Sequence, residues 1–504
     1  MHDLPAVIIT FLTSFVVALV ARWLTHPLRA IPTIGGSSFP LLSYKTASKW
    51  IRHGKDLIEE GYAKASYNMP QCYYGSVFKI AMFDQWLVIV SGPKLVEDIR
   101  KRPDDELSFV EGATEFVPVG YALWPELRDH YHLDILRDKL TRGLAGVLPD
   151  LIDELSMAVP QYIPAKADGW VAVNMVACAR EIVARISNRV FVGVPTCRNR
   201  QYLDLAISFT VDIHKDKTII NMFPAPIKPI IGRFVSFART NVQHVLPLLK
   251  PTIEERRRLV EQGSDEKPDD ILQWITEKAV IKGHSDKSIV ERILFLNFAA
   301  IHTSSNSITQ ALYHLAEQPE YLQPLREEIE PIVREEGWTK ATLGKMWKVD
   351  SVLREAQRVN GINTISVMRK AKKDVILSDG THIPQGTLLA AAATPMHRDE
   401  ALYDNAHVFD PFRFARQRHA EGEGAKHQYV NTSADYVPFG HGKHACPGRF
   451  FAATELKAML AYIVLNYDMK FDGDSRRPEN MYWGPVVIPS PSARILFRKR
   501  QTSS

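Results

Sequence analysis

FGHGKHACPG, residues Phe439 to Gly448, sets three glycines, two histidines, a lysine and a Cys-Pro pair in one loop of a chain that has only four cysteines. Gly440 and Gly442 permit positive φ and let the backbone pass close to a flat object. Pro447 suits the first turn of a helix that starts at the cysteine. That placement sets the Cys446 sulfur against unpaired N–H groups and the positive end of a helix dipole, both of which favour thiolate. Phe439 is placed to screen the sulfur from water, and Gly448 leaves room for a ring above it. Two readings stay open on these residues alone. Cys446 is a single ligand, or Cys446, His441 and His444 form a zinc set; the second lacks a fourth ligand and gives the glycines nothing to do.

The surrounding composition narrows the classes. The chain has 504 residues, 45% hydrophobic and 24% charged, which is ordinary globular material. Its 62 basic and 57 acidic residues leave a net charge of +5, too mild a bias over this length to argue for nucleic-acid binding. Cys72, Cys178, Cys197 and Cys446 form no closely spaced pair. A disulfide framework therefore has no support, and a reducing compartment fits best.

The N-terminus carries an apolar run from Ala6 to Ala21, extended by Trp23 and Leu24. It is at the short end for a membrane span. No lysine or arginine precedes it, whereas Arg22, Arg29, Lys45, Lys49, Arg52 and Lys55 follow. That order predicts an anchor with the body of the protein on the cytosolic side, not a secretory signal. The expected organisation is a membrane anchor over residues 1–24, a proline- and glycine-containing linker over 25–45, and one catalytic domain over 46–504.

Along that domain, "VFKIAM" and "WLVIVSG" read as a hairpin, and "PKLVEDIRKR" as a helix with proline at its start. From Leu127 to Ala300 the apolar spacing is mostly helical, including "GWVAVNMVACAREIVARISNRVF". A helix of about thirty residues is predicted after Ser285, apolar on most faces and therefore crossing the core. Two further helices precede Gly361, a small sheet follows it, and "RFFAATELKAMLAYIVLNY" is a last helix. The fold class is mainly α with small β-sheets.

The cysteine loop resembles the haem-binding loop of the cytochrome P-450 family. Phe439, Gly442, His444, Cys446 and Gly448 fill that family's pattern, with Gly440 a further glycine that members often carry and His444 where arginine is usual. "EAQR" supplies the family's Glu-x-x-Arg pair as Glu355 and Arg358, and "FDPFRF" supplies a second arginine, Arg413. "AAIHTSS" in the long helix matches the segment that lies over the haem, with Thr303 in the threonine position. His302 stands there in place of an acid and Ala300 in place of a glycine. The wording of these motifs is most like fungal members similar to ent-kaurene oxidase.

The resemblance implies the P-450 fold, haem b held through iron by Cys446, and contacts to the haem from Phe439, Gly440 and Gly448. It implies propionate partners in Arg137, Arg369 and His444, and a structural cluster of Glu355, Arg358 and Arg413. Thr303 and His302 would deliver protons. Phe295, Phe298, Ala299, Ala300 and Val486 would line the substrate pocket, with the segments Phe109–Leu123, Ile362–Val367 and Trp483–Ile488. The implied activity is a monooxygenase that reduces O2 and oxidises an apolar, terpenoid or steroid-like substrate in fungal secondary metabolism. With no flavin or dinucleotide fingerprint, electrons would come from NADPH–cytochrome P-450 reductase, with cytochrome b5 as a further donor, at the endoplasmic reticulum membrane. Lys443, Arg449, Lys139 and Arg142 would form a basic docking face. The alternatives are a haem-thiolate isomerase or dehydratase that needs no reductase, and a non-enzymatic haem or zinc binder.

Overall fold

The computed structural model describes residues 4–67, 76–116, 127, 129–223, 227–473 and 476–501. Cys72 and residues 117–123 of the expected pocket segment lie outside the described residues.

Two large hydrophobic cores, with a small cluster of Tyr403, Ala406 and Phe414 beside them, build the body among the described residues. The larger is helical, and its axis is the helix Asp286–Glu317. At 32 residues it is about 48 Å long. Ser285 caps it by accepting the Ser288 amide. It is buried along most of its length and packs on the helices Met175–Phe191, Arg200–Ile220, Phe237–Glu261, Trp347–Val359 and Arg449–Asn466. The smaller core surrounds a five-stranded sheet ordered Val77–Ala81, Trp86–Val90, Leu388–Ala392, Ile365–Ala371, Leu107–Ser108. Its first two strands are the expected antiparallel hairpin.

The strand Ile365–Ala371 breaks register between Ser366 and Arg369. Val367, inside the break, has φ +51°, a conformation a β-branched residue rarely adopts. Such bulges re-aim side chains beside functional sites. Ser366 uses the turn to donate to the Val437 carbonyl at 2.6 Å, which ties the sheet to the cysteine loop.

Three expectations need correction. "VAVN" (171–174) is not helical: it pairs with Arg494–Lys499, and the helix begins at Met175 after Asn174 caps it. Its valines, two residues apart, share one face of the strand, a period-two signal hidden beside a strong helical one. The stretch 25–45 is not a free linker. Leu28, Ile31 and Ile34 are buried in the sheet core, and the helix Pro40–Tyr67 crosses the expected boundary. The last helix starts at Arg449, so Pro447 lies before it and not in its first turn.

The N-terminal helix Leu4–Leu24 packs none of the window Val7–Leu24 inside the protein. It is long and apolar enough to cross a membrane.

Candidate active site

The cysteine loop closes on itself. The Cys446 amide donates to the Phe439 carbonyl at 2.7 Å, and the Gly440 amide to that of Val437 at 2.9 Å. Gly440 and Gly442 both sit at positive φ, +71° and +73°. A Cβ on Gly442 would also lie 2.5 Å from Cγ of Arg100, so this position has no room for a side chain. The loop thereby presents the Cys446 sulfur to a cavity lined by Phe109, Ile362, Val367, Arg369, Phe439, Gly440 and His444.

Burial raises the pKa of the Cys446 thiol; the amides of Gly448 and Arg449 and the Arg449 guanidinium oppose it without winning. The backbone amides thus favour thiolate in the expected direction, but burial outweighs them. A thiolate here needs a cation as its partner.

The zinc reading fails on direction. His441 Nδ1 meets Thr432 Oγ1 at 3.0 Å and its Nε2 lies 3.5 Å from Glu97. His444 Nε2 lies 2.5 Å from Asp104 Oδ1. Each ring nitrogen so engaged serves a partner other than a shared metal. Among the described residues no group of three His, Cys, Asp or Glu side chains could hold one.

The cavity does suit a flat anionic ligand. Arg369 is buried, and burial lowers its pKa to about 10. One guanidinium nitrogen donates to the Met368 carbonyl at 2.8 Å, while its Nε has no partner among the described residues. A buried cation with an unmet donor calls for an acidic acceptor. Its guanidinium lies 5.7 Å from the Phe109 ring, on which the His444 imidazole stacks at 5.1 Å. His444 thus borders the cavity, with its Nε2 committed to Asp104. Arg137 is half-exposed and 3.7 Å from Asp134.

Behind the cavity, Glu355 and Arg358 form a two-pronged pair at 2.8 and 2.7 Å, and Arg413 Nε reaches Glu355 at 3.1 Å. The carbonyls of His397, Ala406 and Asp404 take further guanidinium protons, and the Asp410 amide donates to Glu355. A buried cluster so fully satisfied fixes the segment between the Glu-Arg helix and the cysteine loop.

On the long helix, the Thr303 hydroxyl donates to the Ala299 carbonyl at 2.7 Å. His302 turns away to the Ile207 carbonyl, 3.0 Å from its Nε2, and burial lowers its pKa. Phe295 and Phe298 lie 6.0 Å apart, and Ala300 packs with them against the helical core. Val486 bridges Asn363 of the cavity wall. Of the expected docking cations, Lys443, Lys139 and Arg142 pair with Asp104, Glu277 and Asp138, and Arg449 folds over Phe450.

Two site residues carry no signal in sequence. Asp104 holds both His444 and Lys443. Tyr429 is buried with its ring edge-on to Phe439 at 5.2 Å.

A family model described as Cytochrome P450 matches residues 49–497. The chain belongs to the cytochrome P450 family. It is 48% identical to Cytochrome P450 monooxygenase 151 of Postia placenta, over 100% of both chains. To Cytochrome P450 monooxygenase CYP512U6 of Ganoderma lucidum it is 43% identical, over 100% of this chain and 98% of the other. Among solved structures, the cytochrome P450DA haem domain superposes with TM-score 0.68 at 16% identity, covering 94% of this chain and 98% of that one. The fold is therefore the P450 fold, and the protein is a haem-thiolate monooxygenase, an oxidoreductase that acts on a small molecule with O2 and a redox partner. As in the family, the bound haem supplies the oxidising chemistry.

Proposed function

We propose that Cys446 would ligate the haem iron of this P450 through its sulfur and that the chain oxidises an apolar terpenoid or steroid-like substrate in fungal secondary metabolism. The observation that carries the ligand assignment is the cavity that Cys446 shares with buried Arg369, whose Nε has no partner among the described residues. Arg369 would hold a propionate, with Arg137 and His444 as further propionate partners, and Phe439, Gly440 and Gly448 would shield the sulfur and leave room for the ring. Thr303 Oγ1, held at the Ala299 carbonyl, passes protons with water. His302 acts indirectly, by fixing the long helix to Ile207. Phe295, Phe298, Ala299, Ala300 and Val486 exclude water around the substrate.

Residues 1–24 anchor the chain in the endoplasmic reticulum membrane, and the body that follows, with Leu28, Ile31 and Ile34 in its sheet core, forms the catalytic domain on the cytosolic face. NADPH–cytochrome P450 reductase, with cytochrome b5 as a further donor, supplies electrons. The test is turnover of a terpenoid and steroid panel by the full chain in reductase-supplemented membranes. A product with one added oxygen atom that needs NADPH, O2 and reductase is expected. Conversion that proceeds without reductase would instead place the chain among isomerases or dehydratases.

A further inference from the structure

The helix Pro40–Tyr67 gives no residue to the Cys446 cavity among the described residues, yet backbone hydrogen bonds join it to the cavity wall. At His53 the helix leaves helical geometry, with φ −124° and ψ 29°. Beside that kink the Ile51 carbonyl accepts the Gly484 amide at 2.7 Å, a bond from outside the helix. A group inserted at a helix carbonyl is one of the few causes of a sharp kink. Gly484 opens the two-residue turn between the strands Met481–Trp483 and Val486–Ile488, and its φ is +53°. Positive φ at that turn position favours glycine. Gly54 is buried against it. A Cβ on Gly54 would collide with the Gly484 carbonyl oxygen and lie 2.9 Å from the carbonyl carbon. Those are backbone atoms that cannot rotate aside, so the turn would have to move by about 1 Å to restore ordinary contact.

From the turn, three backbone contacts lead to the cavity. The Pro485 carbonyl accepts the Thr364 amide at 2.7 Å. Val486 bridges Asn363, and the Val487 amide donates to the Ile362 carbonyl at 2.9 Å. Ile362 and Asn363 line the cavity that holds the Cys446 sulfur. On the helix side, buried Trp50 packs near Gly484, and Lys55 Nζ lies 5.2 Å over the Tyr482 ring. A close-packed, hydrogen-bonded connection transmits a shift because it has no loose side chain to absorb one. A displacement at Gly484 therefore arrives at Ile362 and Asn363.

We infer that Gly54 is a positioning residue: its missing side chain seats the turn Gly484–Pro485 against the kinked helix, and through that turn sets where the wall at Ile362 and Asn363 stands for a bulky apolar substrate. Gly54 acts through the hairpin and touches no substrate itself. This rests on the reading above that the substrate enters the cavity beside Cys446, and deepens it.

The test uses the purified full-length holoenzyme and two azole probes titrated by the ligand-induced Soret shift. Imidazole is too small to span the cavity, whereas clotrimazole is bulky and apolar and must pack on its wall. Gly54→Ala is expected to weaken clotrimazole by about 10-fold and to change imidazole by less than about 2-fold. Alanine forms helix more readily than glycine, so a loss of affinity cannot come from a weaker helix. Gly146→Ala is the control: it makes the same change on a helix where a Cβ meets nothing within 4 Å, and both affinities should hold. The reduced carbon monoxide spectrum of each variant reports intact haem ligation. If Gly54→Ala loses it, Trp50→Phe, which loosens the packing at Gly484 without overfilling it, takes its place with the same expected split. Equal changes in both azoles, no change in either, or the same split in Gly146→Ala overturns the role of Gly54 and leaves the cavity reading in place. A wild type that shifts with neither azole overturns that reading, and the inference with it.

Discussion

Glu455 shows how far burial alone sets the chemistry of a residue. It lies on the helix that follows the cysteine loop and has no exposed surface. Ser187 Oγ donates to one of its oxygens at 2.5 Å. Burial raises its pKa from 4.5 to about 7. The folded state therefore holds this proton more tightly than the unfolded chain. The stability it contributes is complete below about pH 4.5 and is lost as pH rises through about 7, a swing of up to about 3 kcal/mol. Glu455→Gln keeps the shape and an acceptor for Ser187 and removes the titration. Chemical unfolding across pH should show the variant gaining stability over wild type at pH 8 and nothing at pH 4. Parallel profiles would contradict the assignment. At this scale the sequence announces only residues with a local pattern. Cys446 is legible because glycines, proline and phenylalanine surround it within one loop. Asp104 and Tyr429 are not, because what gives each its role is a partner elsewhere along the chain.

Among the elements, the helix Trp347–Val359 shows what spacing can and cannot tell. Glu355 and Arg358 lie one turn apart on one face, but so do Glu97 and Arg100, which form a part-exposed pair at a surface helix. Only the later Arg413 and its neighbouring carbonyls separate the buried cluster from the surface pair. Removing one member strands a charge where water cannot reach. Glu355→Gln should destabilise the fold by about 3 to 5 kcal/mol, and urea unfolding monitored through haem release checks it. The same change at Glu97 should cost less than about 1 kcal/mol. Comparable losses at the two sites would refute the structural role of the cluster. The long helix was readable from its serine cap and apolar faces. The strand 171–174 was not, because four residues before a strong helical run leave too short a period to register.

For the whole molecule, the cysteine loop sits where the helical core and the sheet core meet. Phe439 packs on the first and Val437 belongs to the second. That junction explains why the family was legible over nearly the full chain: its motifs lie on the long helix, the Glu-Arg helix, the sheet and the cysteine loop, of which the sheet and the loop line the cavity and the Glu-Arg helix packs behind it. The substrate wall was less legible, since apolar residues on these elements serve core and pocket alike. The assignment of Cys446 joins all of these parts, and the reduced carbon monoxide difference spectrum of the full chain tests it most directly. The wild type should show the red-shifted Soret band of a thiolate-ligated haem, and Cys446→Ala should lose it. A wild-type spectrum without that band, or a Cys446→Ala spectrum that keeps it, would contradict Cys446 as the ligand.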